Sequence, residues 1–178
     1  MSANIEFEGK VLEINEKDIL KKLGAQKATY IGEYLQRRYV FNTIPFNENR
    51  WVRLRSNGEN ATLAVKEIGD DSISGTSEWE VEVSSFEETL AILKKIGINP
   101  KGYQENRRIA YSMDNCQITL DFWPKIPAYL EIEGKNEEQV YECAKKLGID
   151  KKKITGMNTT KIYKKYGIDL DEIEDLRF

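Results

Sequence analysis

The sequence contains no histidine. That single absence removes histidine zinc ligands, imidazole general bases and Ser-His-Asp triads. A metal site would have to be built mainly from carboxylates, which suits hard ions such as Mg²⁺ or Mn²⁺. Cysteine is nearly absent too. Cys116 and Cys143 have no CxxC spacing and read as reduced thiols of a cytoplasmic protein. No apolar run is long enough to suggest a membrane span, and residues 1–15 lack the pattern of a signal peptide. An excess of either charge is also missing, with 27 Lys and Arg against 30 Asp and Glu. General nucleic-acid binding is therefore not expected, although a local basic pocket is compatible with this balance.

What the sequence does have is charge, 32% of its residues, laid out with a period of two. In "IEFEGK", Glu6, Glu8 and Lys10 alternate with Ile5, Phe7 and Val11, so a strand would carry charge on one face and apolar groups on the other. The same alternation recurs at 39–44, 50–56, 61–68, 77–84, 107–113, 117–123 and 128–134. Turn signals such as "SNGEN", "GDDSISG" and "MDN" separate these runs, which predicts antiparallel neighbours. Helices are expected at 16–25, 85–98 and 136–149, with a further helical stretch at "TTKIYKKYG". Each of the first three ends in Lys-Lys, an apolar residue and Gly. The lysines suit the negative end of the helix dipole, and Gly24, Gly97 and Gly148 suit the left-handed position that follows. The 178 residues fit one domain, 1–178, with length enough for a sizeable core.

The charged strand faces admit two readings. They could be cross-strand ion pairs on a flat, wet sheet. Alternatively, helices cover the apolar faces from outside and the charged faces line a curved or closed sheet. Glu6, Glu8 and Lys10 would share such an interior with Arg53, Arg55, Lys66, Glu78, Glu80, Glu82, Arg108, Asp121, Glu131 and Glu133. Acidic strands beside basic ones suit a site that holds cations and a polyanion together.

The ordered set "EFEGK", "RLR", the lysine of "LAVKE", "EWEVE", the arginine of "NRRIAY", the aspartate of "TLDFW", and "EIE" resembles the CYTH, or triphosphate tunnel metalloenzyme, superfamily over residues 4–134. The resemblance implies an α+β fold: a closed antiparallel eight-stranded β-barrel with helices packed outside. It implies Glu6, Glu8, Glu131 and Glu133 as ligands of Mg²⁺ or Mn²⁺, and Lys10, Arg53, Arg55, Lys66 and Arg108 as phosphate ligands. Asp121 and Lys10 are the catalytic candidates, with Asp121 orienting a reacting group or a metal. Glu78, Glu80 and Glu82 could instead fix the directions of the basic residues, and Arg107 and Lys161 are further phosphate candidates. By alternation, Arg107 faces away from Arg108.

The implied ligand is a triphosphate, ATP or tripolyphosphate, since several cations spread over strands match a phosphate chain. Closest in pattern are class IV adenylyl cyclase-like proteins, in which a ribose 3′-hydroxyl displaces pyrophosphate from the α-phosphorus. The alternatives are a tripolyphosphatase, thiamine triphosphatase or nucleoside triphosphatase, in which water attacks the terminal phosphorus, and a non-catalytic phospho-ligand binding module. A homodimer is compatible with the resemblance. The chain departs from the pattern at Arg37 and Asn42, where acids are common, and at Asn106, where a basic residue is usual.

Overall fold

Alternating charged and apolar side chains fold the described chain, residues 4–178 of a computed structural model, into a sheet that closes on itself. Residues 1–3 lie outside the description. They belong to the stretch read as lacking a signal peptide and to the expected 1–178 domain. The strands are β1 (Asn4–Val11), β2 (Thr29–Asn42), β3 (Arg50–Ser56), β4 (Ala61–Ile68), β5 (Thr76–Val83), β6 (Pro100–Met113), β7 (Cys116–Phe122) and β8 (Tyr129–Gly134). Around the wall they run β2-β3-β4-β5-β1-β8-β7-β6, and β6 pairs back onto β2. Every one of these pairings is antiparallel, so the fold is the expected closed eight-stranded barrel. A short β9 (Asp175–Leu176) adds in parallel to the free side of β6.

Two strands are longer than alternation predicts. β2 and β6 each span 14 residues, whereas the period of two marks only 39–44 and 107–113. The cause is charge on the outer face as well. Arg107 pairs with Glu33 at 2.8 Å, and Arg37 pairs with Glu87 at 2.6 Å, outside the barrel. With polar groups on both faces, the alternation disappears from the sequence while the backbone ladder persists.

Helices α1 (Glu16–Ala25), α2 (Phe86–Lys95), α3 (Glu137–Lys146) and α4 (Thr159–Lys165) start at Asn15, Ser85, Asn136 and Asn158. Each of those side chains accepts a backbone N–H of the first turn, satisfying a donor that the helix cannot. Gly97 and Gly148 take the left-handed conformation after α2 and α3, at φ 88° and 64°. Gly24 does not. It lies within α1, and Lys27 at φ 56° makes the left-handed exit instead.

The apolar core lies mostly outside the barrel wall. Leu23 of α1 and Val140 and Leu147 of the α3 region pack on Ile118, Leu130 and Ile132, the outward residues of β7 and β8. Phe86 and Leu93 of α2 cover Phe41 and Leu54 of β2 and β3. A third cluster joins Trp123 and Tyr129 to Ile162 and Tyr163 of α4 and to Leu170 and Leu176 beyond it. Covering is incomplete, because Ile5, Trp79 and Val81 on β1 and β5 remain exposed. No described helix is long and apolar enough to cross a membrane.

Candidate functional site

Strand alternation that places apolar groups outside must place charge inside. The inward side chains line a cavity of about 1000 Å³, with Glu6, Glu8, Lys10, Arg53, Arg55, Lys66, Glu78, Glu80, Arg108, Glu131 and Glu133 on its wall. The charges are not mixed at random. Arginines occupy β6, β2 and β3; carboxylates occupy β5, β1 and β8, with Lys10 and Lys66 set among them.

Register explains the pairs. Lys10 lies opposite Glu131 on β8 and contacts Glu8 at 2.7 Å and Glu131 at 3.3 Å. Lys66 lies opposite Glu78 on β5 and contacts Glu6 at 2.6 Å and Glu78 at 3.5 Å. Arg53 bridges Glu78 at 2.8 Å and Glu80 at 3.0 Å, and Arg55 reaches Glu80 at 3.4 Å. The backbone of Lys10 is also tied to Thr155 in both directions, which anchors the C-terminal segment against β1 beside the site.

Asp121 sits in the wall rather than on its surface. It is fully buried and grips Arg108 with both oxygens, at 2.8 and 2.9 Å from Nε and Nη2. It also accepts from Asn106 Nδ2 and Thr119 Oγ1, each at 2.8 Å. So saturated a carboxylate fixes the direction of Arg108, whose Nη2 also reaches Glu131 at 3.1 Å.

These surroundings set the protonation of the site. Burial opposes the charge on Lys10, but Glu8 and Glu131 outweigh it and hold its proton more tightly than usual. Lys10 is therefore a standing cation. Burial likewise opposes the charge on Arg108, yet Asp121 and Glu131 raise its pKa well above the ordinary value. Burial works against Glu131 too, but Lys10 and Arg108 bring it well below the usual carboxylate range. Two acids move the other way. Burial and the hydrogen bond that protonated Glu6 donates to Glu78 push Glu6 up to about 7. Burial, followed by the charges of Glu131, Glu6 and Glu8, pushes Glu133 up to about 6.

Among the described residues, no group of three or more acidic side chains converges as a metal cage. Glu6, Glu8 and Glu131 turn instead toward lysine or arginine. Glu133 has no ion pair or hydrogen bond among the described residues, although it lines the cavity. Hard oxygen donors crowded enough to raise one another's pKa fit a divalent cation, which would relieve the crowding.

The remaining candidates divide. Lys161 lines the cavity from the start of α4 and pairs with Asp71. Glu82 is exposed and lines a separate groove with Arg37 and Ser85. Arg107 lies outside the barrel, paired with Glu33 and Glu16 and stacked 3.7 Å from the centroid of the Phe122 ring. Arg37 also points outward, whereas Asn42 lines the cavity. Sequence reasoning missed Arg38, Gln104, Trp123 and Tyr129, which all line the cavity, and Thr119 beneath them. Stepping back by two from Asn42 gives Val40 and then Arg38 as inward residues, so a signal for Arg38 existed.

The sequence profile of the CYTH domain matches residues 4–166. No curated protein is significantly similar to the chain. Among solved structures, the chain is similar to the PH1012 protein from Pyrococcus horikoshii OT3, with 25% identity and a TM-score of 0.74, over 86% of this chain and 96% of that one. It shares its fold with a candidate adenylate cyclase from Vibrio parahaemolyticus, at 13% identity and a TM-score of 0.76, covering 92% and 99% of the two chains. It also shares its fold with a candidate adenylyl cyclase from Hippeastrum described as having a dominant triphosphatase activity, at 16% identity and a TM-score of 0.65, covering 95% and 100%.

Proposed function

Since the chain belongs to the CYTH domain family, we propose that it is a divalent-metal-dependent enzyme acting on a triphosphate held inside the barrel. One observation carries this: a single cavity of about 1000 Å³ opposes an arc of arginines to an arc of carboxylates. A triphosphate cannot leave water without cations around it, and the arginine arc supplies them. The carboxylates would hold Mg²⁺ or Mn²⁺, with Glu8, Glu131 and Glu133 as the principal oxygen donors and Glu6 beside them. Such an ion supplies charge neutralisation on phosphate oxygens. Arg53, Arg55, Lys66 and Arg108 bind and orient the phosphates, Lys10 adds a fixed positive charge, and Asp121 keeps Arg108 aimed. Phosphoryl chemistry depends mostly on such positioning and charge stabilisation.

Within that class the favoured substrate is ATP, converted to cyclic AMP and pyrophosphate. Trp51 and the exposed Phe46 line the cavity and offer aromatic faces on which a nucleobase can stack. Hydrolysis of a triphosphate is the second reading, favoured by the triphosphatase activity in the description of the Hippeastrum protein. Incubation with ATP and with tripolyphosphate, each with Mg²⁺, Mn²⁺ or chelator, separates the outcomes by product. Cyclic AMP with pyrophosphate supports the cyclase, and orthophosphate supports the hydrolase. Binding of tripolyphosphate without turnover under any metal would reduce the protein to a binding module.

A further inference from the structure

The two cysteines of the chain, Cys116 and Cys143, lie far apart in sequence and away from the cavity. Folding brings them together in the core behind the barrel wall. Cys116 opens β7, and Cys143 lies on the face of α3 that packs on β7 and β8. Both side chains are buried, at 1% and 2% exposure. The Cys116 thiol donates to the carbonyl of Gln139 at 3.7 Å. That carbonyl stands one helical turn before Cys143, where it also meets the Cys143 N–H. The two thiols are thereby close enough to act on one another as hydrogen-bond partners.

The meeting is held in place by polar ties on either side. The turn from β6 to β7 passes through Asp114 and Asn115, both left-handed at φ 52° and 60°. From α3, Gln139 Nε2 donates to the Asp114 carbonyl at 2.9 Å, and Lys146 pairs with the Asp114 carboxylate at 2.7 Å. These contacts dock the turn on the helix and fix Cys116 beneath Cys143. Burial alone would suit small apolar fillers. Contact between the only two cysteines of the chain suits a pair. Burial also raises both thiols, Cys143 to about 12, so neither is a reactive surface nucleophile while α3 is docked. Reaction with an oxidant then requires α3 to lift, and its return delivers one sulfur to the other.

We propose that Cys116 and Cys143 form a covalent modification site, a disulfide that staples α3 to β7 when the chain meets a low-molecular-weight disulfide. The chemistry is thiol–disulfide exchange. One cysteine, deprotonated, attacks a sulfur of the small disulfide and expels a small thiolate, which takes up a proton. As α3 docks, the second cysteine loses its proton and attacks the protein-bound sulfur, expelling the second small thiol. The cysteine pair gives up two electrons, and the small disulfide is reduced to two thiols. The bridge would close a loop of roughly 30 residues and so restrict the unfolded chain. It would also clamp the helix that backs the site, since Val140 of α3 packs at Gly9, between Glu8 and Lys10. Nothing in this pairing depends on what the cavity binds.

The test is refolding of the full chain from denaturant in oxidised glutathione, beside the same chain refolded in dithiothreitol. Thiols are then counted by alkylation in denaturant and by intact mass. The glutathione-refolded monomer should offer no thiol to alkylation and weigh two hydrogens less than the reduced chain. Its unfolding midpoint should rise by roughly 5–15 °C and fall back when dithiothreitol is added. Cys116→Ala and Cys143→Ala should show no such rise. Each variant is compared with its own reduced form, so any cost of the substitution itself cancels. Two alkylatable thiols, a chain carrying glutathione, or a disulfide-linked dimer would overturn the pairing. So would a bridged monomer whose midpoint is unchanged or lower, or a rise that persists in either variant.

Discussion

The two arcs of the barrel interior handle charge in opposite ways. On β5, β1 and β8, Glu6, Glu8, Glu78, Glu80 and Glu131 each have a lysine or arginine within reach, and among the described cavity-lining acids of these strands only Glu133 is left over. On β6, β2 and β3 the arginines crowd one another: Arg53, more than burial, brings Arg55 down to about 10, and Arg38 has no carboxylate partner among the described residues. The acidic arc is nearly neutralised from within, whereas on the basic arc Arg53, Arg55 and Arg108 borrow carboxylates from other strands and Arg38 has none among the described residues. A protein that stores unpaired charge on one wall gives up stability there in exchange for binding. Under the proposed function, the contrast separates residues that hold the fold from residues that bind the triphosphate.

The sharpest way to break this contrast is at Asp121, the one carboxylate serving the basic arc from behind. Asp121→Ala leaves Arg108 buried with only Glu131, and should cost about 3–5 kcal/mol in chemical denaturation. Asp121→Asn, which keeps part of the hydrogen-bond set, should cost less. A wild-type midpoint for the alanine variant would show that Arg108 needs no anchor.

Next in size is Arg55→Ala. It should weaken ATP and tripolyphosphate binding by about 1–3 kcal/mol, with the remaining affinity still falling as salt rises. Its unfolding midpoint should hardly move, since Arg53 already disfavours the charge on Arg55. Lys66→Ala should lose both binding and stability, because it leaves Glu6 and Glu78 facing each other. If the two variants behave alike in both assays, the distinction between the arcs fails.

A smaller and more selective effect is expected at Glu133→Gln. Metal affinity and turnover should fall together, by about tenfold or more if the carboxylate is a donor. The metal-free protein should gain up to about 1 kcal/mol, a figure kept low because the position is solvent-accessible. Glu8→Gln should lose metal affinity without that gain, since its carboxylate is paired with Lys10. Turnover and metal binding at the parent level in both variants would return these glutamates to a purely structural role.

The gentlest probe is pH. Glu6 and Glu133 keep their protons to about pH 7 and about pH 6 in the fold, above the usual 4.5. The folded state then binds more protons than the unfolded chain between those values, so stability should fall as pH rises from about 4.5 to 7. Glu131, shifted the other way, acts below that window. Melting curves of the metal-free protein from pH 5 to 8 should show the decline, and saturating Mg²⁺ or Mn²⁺ should flatten it. A midpoint that climbs steadily through this range would contradict the crowding of these acids.

Most of the barrel was legible because its strands obey one local rule. Where apolar faces look outward and polar faces inward, two-residue alternation is strong, both at "YLEIEG", which α3 covers, and at "EWEVE", whose Trp79 and Val81 stay exposed. It fades in "TYIGEYLQRR" and "PKGYQEN", where Glu33, Arg37 and Arg107 place ion pairs on the outside. That loss hid half of β2 and with it Arg38. Attention to Arg37, which lies on the outer face, picked the wrong neighbour of the right residue. Asp121 carried a signal in sequence, but its work behind Arg108 depends on Asn106 and Thr119, which come together only once β6 and β7 pair. The closure of β2 onto β6 was likewise beyond local pattern, since it is a long-range pairing that only the whole wall requires.

The placement of the apolar core outside the wall bears on how such a protein can change over time. Packing constraints fall on outward residues such as Leu54, Ile118 and Ile132, while inward residues one step along each strand line the cavity among other charged groups. Substitutions in the interior can therefore accumulate with little repacking, as long as local charge is rebalanced. Inward side chains can therefore be edited with the folding of the wall left under separate selection.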